Sequence, residues 1–211
     1  MSRRLLPVAV ALLLVTSGCV GLITGETVTF EASPATVSDS TLDATGYELQ
    51  NATQVNVTRD VTVAGQDRTI RLVTERRQYT RSGTVFGVDV VELSRFVVVS
   101  MPSATVGGQT LNPAADWANR RVLDAVRGQT RGVDDVEPVG NRTVRVLGED
   151  RRVSEFTGTT QVAGQSLDVR LHLVSFEHEG DVIIAVAVHP ENADEADAVD
   201  ALLSGLQHSG E

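Results

Sequence analysis

One thiol, four imidazoles and 28 carboxylates are the groups through which this 211-residue chain could do chemistry. The thiol is Cys19, and with no second cysteine it has no disulfide partner within the chain. It follows Thr16-Ser17-Gly18, and ahead of those lies an apolar run over 5–15 that opens after Ser2-Arg3-Arg4. A charged start, a short apolar stretch and a small-residue exit are the parts of an export signal. A helix needs about 20 residues to cross a hydrocarbon core of about 30 Å, so this run is too short to span one. Residues 1–18 therefore read as a signal peptide, 19–26 as a lipid-proximal tether, and Cys19 as the lipid attachment point. Each buried methylene contributes about 0.8 kcal/mol, so two long chains on that sulfur anchor firmly. Arg3-Arg4 ahead of Leu5-Leu6 fits twin-arginine export, with the general secretory route as the alternative.

The imidazoles are His172, His178, His189 and His208. His178-Glu179 lacks the second histidine of a metalloprotease helix, because position 182 is valine. Scattered over turns, strand ends and the C-terminus, the four predict surface positions, with no metal ligand among them. His172 alternates with Leu171 and Leu173, which places it on the opposite, wetter face of its strand. No nucleophile elbow, calcium loop or dinucleotide fingerprint occurs, so no catalytic residue and no cofactor is expected. The acids over 191–200 lack calcium-loop spacing and read as a solvated helix. An enzyme would need a site assembled from distant residues such as His172, Glu177 and Arg170.

Composition narrows the setting. All 18 basic residues are arginine, against 28 acids, for a net charge of −10 that grows more negative once Arg3 and Arg4 leave with the signal. A lysine-free acidic surface suits multimolar salt, where a Debye length of about 3 Å at 1 M mutes self-repulsion. Without lysine there is neither Schiff-base chemistry nor a Gly-Lys phosphate loop. Negative charge and only five Phe, two Tyr and one Trp argue against nucleic acid as a partner. Asn51, Asn56 and Asn141 each open an Asn-x-Thr triplet, the acceptor for N-glycosylation in an exported chain.

The elements that would carry these groups follow from periodicity. Ser38 caps a short helix over 39–45 that Gly46 stops. Strands are predicted over 27–32, 54–63, 68–79, 85–91 and 95–101, with Val55, Val57, Val61 and Val63 on one buried face of the second. Asn112-Pro113 opens a main helix that ends near Gly128, with Trp117 as its core plug. Further strands over 136–139, 143–147, 152–160, 166–177 and 182–188 are separated by polar turns, including Gly140-Asn141, at the spacing of an antiparallel meander. A closing helix over 194–206 buries Val199, Leu202, Leu203 and Leu206. Val63-Ala64-Gly65-Gln66 recurs as Val162-Ala163-Gly164-Gln165, and each copy leads to a strand, a proline and a helix. The fold class expected is a single α+β domain over 27–208. It would be an antiparallel meander sheet with two main helices packed on it, built from a duplicated strand-hairpin-helix unit.

Several stretches together resemble an uncharacterised family of small exported lipoproteins from halophilic archaea. They are Gly18-Cys19, Ala32-Ser33-Pro34-Ala35-Thr36-Val37, Thr45-Gly46-Tyr47-Glu48, Leu111-Asn112-Pro113-Ala114, and the run from Gly180-Asp181-Val182-Ile183 to His189-Pro190. The resemblance implies no activity and transfers no functional residue beyond Cys19. More distantly, the element order looks like the PsbP-like α+β sandwich. The reading is of an extracytoplasmic lipoprotein of a halophile, held by lipid on the outer face of the cytoplasmic membrane. It would be a non-enzymatic binding or accessory module for an envelope protein or a small ligand. The alternatives are a hydrolytic or transfer enzyme and a purely structural envelope protein.

Overall fold

Long alternations of β-branched and polar residues build strands well beyond the usual five or six residues. The structure, a computed structural model, describes residues 27–63, 65–106, 109–110 and 132–209. In chain order the elements are β1 (Val28–Glu31), β2 (Thr36–Val37), α1 (Asp39–Thr45), β3 (Glu48–Val63), β4 (Gln66–Val85), β5 (Val88–Pro102), β6 (Thr105–Val106) and β7 (Gln109–Thr110). After these come β8 (Asp134–Val146), β9 (Glu149–Val162), β10 (Gln165–His178), β11 (Asp181–Pro190), α2 (Ala196–Ser204) and β12 (Leu206–Gln207).

Eight strands form one sheet in the order β1-β4-β5-β11-β10-β9-β8, with β3 also pairing β4. β5 and β11 pair antiparallel, Val98 opposite Ala185, and so join the two halves of the chain. β1 runs parallel to β4, Val28 opposite Ile70, which makes the sheet mixed. Four of its hairpins close through two-residue turns: Phe86-Gly87, Leu147-Gly148, Ala163-Gly164 and Glu179-Gly180. In each the first residue sits at φ 47–52° and the glycine at 75–84°, the doubly positive geometry whose twist matches that of the flanking strands.

The expected α+β class with two main helices is wrong. Strands dominate, and the described residues hold only two short helices, of seven and nine residues. The sequence pattern misleads because polar and glycine-bearing segments read as turns when their strand pairing is invisible. Gly140-Asn141, expected as a turn, lies inside β8, where the register against β9 shifts between Pro138 and Gly140. The helix expected over 112–128, with Trp117, lies outside the described residues. The first helix of the expected strand-hairpin-helix duplication falls in that same stretch, and the strands of both copies belong to one mixed sheet that carries a single described helix, α2, after the second copy. β3 is corrected too: Val55 and Val57 are exposed, because the strand sits at the margin of the sheet rather than across its core.

Core packs on both faces of the sheet. On one, Tyr79, Phe96, Val98, Phe176 and Ile183 meet Val199, Leu202 and Leu203 of α2. On the other, Phe156, Leu171, Leu173 and Ile184 form a second cluster. α1 has the expected caps: Ser38 accepts from the Thr41 amide, and Gly46 takes φ 71°. α1 and α2 meet where Gly205 lies against Thr41, and the Ser38 amide donates to the Gly205 carbonyl at 3.0 Å. A Cβ on Gly205 would stand 2.9 Å from Thr41 Cβ and Cγ2, on a β-branched side chain that cannot swing away. Gly205→Ala is expected to cost about 1–3 kcal/mol in urea unfolding. A Gly205→Ala chain as stable as the parent would show that the helices can part freely.

Candidate functional site

On the face that α2 covers, alternation brings Arg170 and His172 of β10 beside His189 of β11, with Arg170 directly opposite His189. Glu155 of β9 stands opposite His172, and Arg142 reaches in from β8. His172 is on the side of its strand that the sequence indicates, but at 3% exposure it is buried rather than wet.

The hydrogen bonds fix the protons. Arginine only donates, so Arg142 Nη1 donates to His172 Nδ1 at 2.7 Å and that nitrogen carries no hydrogen. His172 Nε2–H then donates to His189 Nε2 at 2.9 Å, leaving His189 Nδ1–H to donate to the Pro190 carbonyl at 2.8 Å. The two rings lie 5.1 Å apart and 13° from parallel. A proton added at either acceptor nitrogen would face another N–H. Burial, then the Arg142 charge, His189 and Arg170 hold His172 down to about 3. Burial likewise lowers His189. Arg142 is itself bound, to Glu155 of β9 and, through Nε at 2.8 Å, to Asp200 of α2.

This relay forms the floor of a pocket of about 340 Å³, walled by residues 191–196 between β11 and α2. Arg170, paired with Glu191, lines it together with Asp194. Glu195 precedes the first helical residue but does not cap α2. Its carboxylate turns inward, accepting from Tyr47 Oη at 2.8 Å and Ser94 Oγ at 2.6 Å, and pairs with Arg81 at 2.8 Å. The acids expected as a solvated helix are thus divided: Glu191 and Asp194 line the pocket, Asp200 holds Arg142, and Glu195 is buried. No sequence motif marks this site; only the register of β8 to β11 assembles it.

A second polar cluster occupies the far end of the β10–β11 hairpin. His208 Nε2 contacts Asp181 Oδ2 at 2.9 Å, and the same carboxylate oxygen accepts from the Ser33 amide at 2.8 Å and Ser100 Oγ at 3.2 Å. His178 meets His208 edge to face, with ring centroids 5.6 Å apart.

Of the residues singled out from sequence, Cys19 lies outside the described ones. Asn51 and Asn56 are exposed on β3 and Asn141 on β8, so all three acceptor side chains reach solvent. Arg170 and His172 share the pocket, but Glu177 does not join them. It lies five positions along β10 from His172, on the other face, and accepts from Ser103.

A family model described as "Domain of unknown function (DUF6517)" matches residues 34–207. The chain belongs to the DUF6517 family. The match runs from just before β2 through β12, so this DUF6517 domain contains the histidine relay, the pocket and Glu195, while Cys19 and His208 fall outside it. No curated protein matches the chain. Among solved structures, the solution structure of cyanobacterial PsbP (CyanoP) from Synechocystis sp. PCC 6803 is similar at 13% identity and a TM-score of 0.34, covering 85% of this chain and 94% of that one. The crystal structure of LpqN, involved in cell envelope biogenesis of Mycobacterium tuberculosis, is similar at 10% identity and a TM-score of 0.29, covering 82% and 98%. The PsbP likeness read from element order therefore exists as a distant one. At these scores neither protein's role passes to this DUF6517 member.

Proposed function

We propose that this chain is a lipid-anchored extracytoplasmic binding module whose ligand, a small polar molecule, sits in the pocket between the β10–β11 floor and residues 191–196. One observation carries this reading. The two imidazoles at the pocket floor have every nitrogen committed, to Arg142, to each other and to the Pro190 carbonyl. A general base needs a free lone pair within reach of its substrate. A floor saturated in this way presents a rigid polar shape that holds a ligand instead of reacting with it. Arg170, Glu191 and Asp194 at the rim supply donors and acceptors of both signs.

After export by the twin-arginine route and removal of 1–18, acylated Cys19 holds the module on the outer face of the membrane. Among the described residues no helix is long and apolar enough to cross one. The lysine-free acidic surface suits a halophile's brine, and exposed Asn51, Asn56 and Asn141 accept glycans there. An envelope protein is the partner class that fits such a tethered module.

The test is purification of the full chain from native membranes, followed by mass spectrometry. The expected result is a peptide beginning at lipidated Cys19, together with a small molecule released on denaturation. Cys19→Ser is expected to move the protein from the membrane fraction to the medium. A full-length chain in the cytosol with an unmodified thiol would overturn the anchoring. A protein that releases no small molecule and binds none in a metabolite screen would overturn the pocket reading.

A further inference from the structure

The geometry points to a site for a borderline divalent transition-metal ion, such as Zn²⁺, formed by His178, Glu179 and His208, with Asp181 orienting His208 from behind. His178 ends β10, Glu179 opens the tight turn at φ 47°, and Asp181, opposite His178 in the register, begins β11. His208 arrives from the other end of the chain. It is delivered by β12, whose Leu206 and Gln207 pair with Val37 and Thr36 of β2. One ligand-capable atom from each of the three residues lies within 4.8 Å of the other two. A tetrahedral ion with bonds of about 2.1 Å needs ligands about 3.4 Å apart, so the three groups would draw closer together around it.

His208 is the observation that points to an ion rather than to a chance cluster. Its side chain is fully buried, and its Nδ1 has no hydrogen-bond partner. The other nitrogen, Nε2, faces Asp181 Oδ2 at 2.9 Å. A carboxylate only accepts, so Nε2 carries a proton, and in a singly protonated ring Nδ1 is the nitrogen that keeps its lone pair. A histidine donating one N–H to a carboxylate while its other nitrogen stands open is the arrangement found behind metal-bound imidazoles, where it fixes tautomer and ring orientation. Asp181 is itself held, by the Ser33 amide and Ser100 Oγ. A bound cation would satisfy the orphaned nitrogen, whose burial otherwise goes uncompensated.

Two imidazoles and one carboxylate favour Zn²⁺ and its neighbours over Ca²⁺ or Mg²⁺, which prefer oxygen. Three protein ligands leave a fourth position for water or for a group on a partner. The site shares no residue with the pocket over the histidine relay, so the two readings stand or fall separately.

The test is calorimetric titration of Zn²⁺ into the chelator-treated full chain in 1 M KCl, which screens diffuse attraction to the acidic surface. One ion per chain is expected, at micromolar affinity or tighter, with a rise in thermal midpoint. His178→Ala and, on the exposed turn, Glu179→Gln should each weaken binding at least tenfold. Asp181→Asn should weaken it 10–100-fold with stoichiometry retained, the range seen when a metal-bound histidine loses its carboxylate partner. Absence of binding at 1 mM Zn²⁺, or equal binding by parent, His178→Ala and Glu179→Gln, would overturn the site.

Discussion

Glu195→Ala is expected to destabilise the fold by about 3–5 kcal/mol in urea unfolding followed by circular dichroism. Glu195 is 1% exposed and takes three donors: the Tyr47 hydroxyl, the Ser94 hydroxyl and the Arg81 guanidinium. Truncation leaves the Tyr47 and Ser94 hydroxyls only each other as partners, so at least one buried donor stays without an acceptor, at about 1–3 kcal/mol. Arg81 contributes less, because a third of its side chain reaches water and it keeps the Thr45 carbonyl and the face of the Tyr47 ring. The Tyr47 hydroxyl is held in its protonated form, chiefly by burial and next by the Glu195 charge, so it must donate. Glu195→Gln keeps an oxygen for one hydroxyl and should cost about half as much. A Glu195→Ala chain within about 1 kcal/mol of the parent would show that water replaces the carboxylate and that the cluster does not hold α2 to the sheet.

Acid should destabilise the fold through the relay. Above pH 6.5 His172 is neutral in both the folded and the unfolded chain. Below that, the unfolded chain takes up a proton that the folded one refuses until about pH 3, so stability falls as pH falls across this window. At 1.36 kcal/mol per pH unit, His172 alone removes about 2 kcal/mol between pH 6.5 and 5. His189, lowered in the same direction, adds to the slope. Urea midpoints measured from pH 7.5 to 5 should therefore fall in the parent. They should fall less in His172→Phe, which starts lower because Arg142 and His189 lose a partner but has one fewer proton to take up. Parallel profiles for parent and variant would mean that the ring is protonated within the fold and the relay is not as drawn.

How much of the site was legible depends on how far apart its parts lie in the chain. Ser38 and Gly46 identify the ends of α1 because a cap is a contact within one turn of helix. Ala163-Gly164 and Glu179-Gly180 stand out as turns for the same local reason. Period two placed His172 opposite Leu171 and Leu173, but burial is not a property of periodicity. Residues 191–196 and the register with β9 and β11 cover that ring. Strand is missed where it is polar: 48–53 of β3 and the middle of β8, with Gly140, Asn141 and Arg142, become strand only through their partners across the sheet.

Sequence alone determined features set by near neighbours: the turns at Ala163-Gly164 and Glu179-Gly180, the caps of α1, charge, the Cys19 motif and the side of each strand on which a residue falls, whereas the Phe86-Gly87 turn falls inside the strand expected over 85–91. Tertiary structure decided which of those sides became buried. It also decided which distant groups meet, such as Tyr47 with Glu195 and Ser33 with Asp181, both pairs 148 residues apart. The reason is range. Caps and two-residue turns are set by bonds between near neighbours, which a short window of residues contains. A buried carboxylate or a saturated imidazole is set by the register between strands and by what covers them, and a short window contains neither.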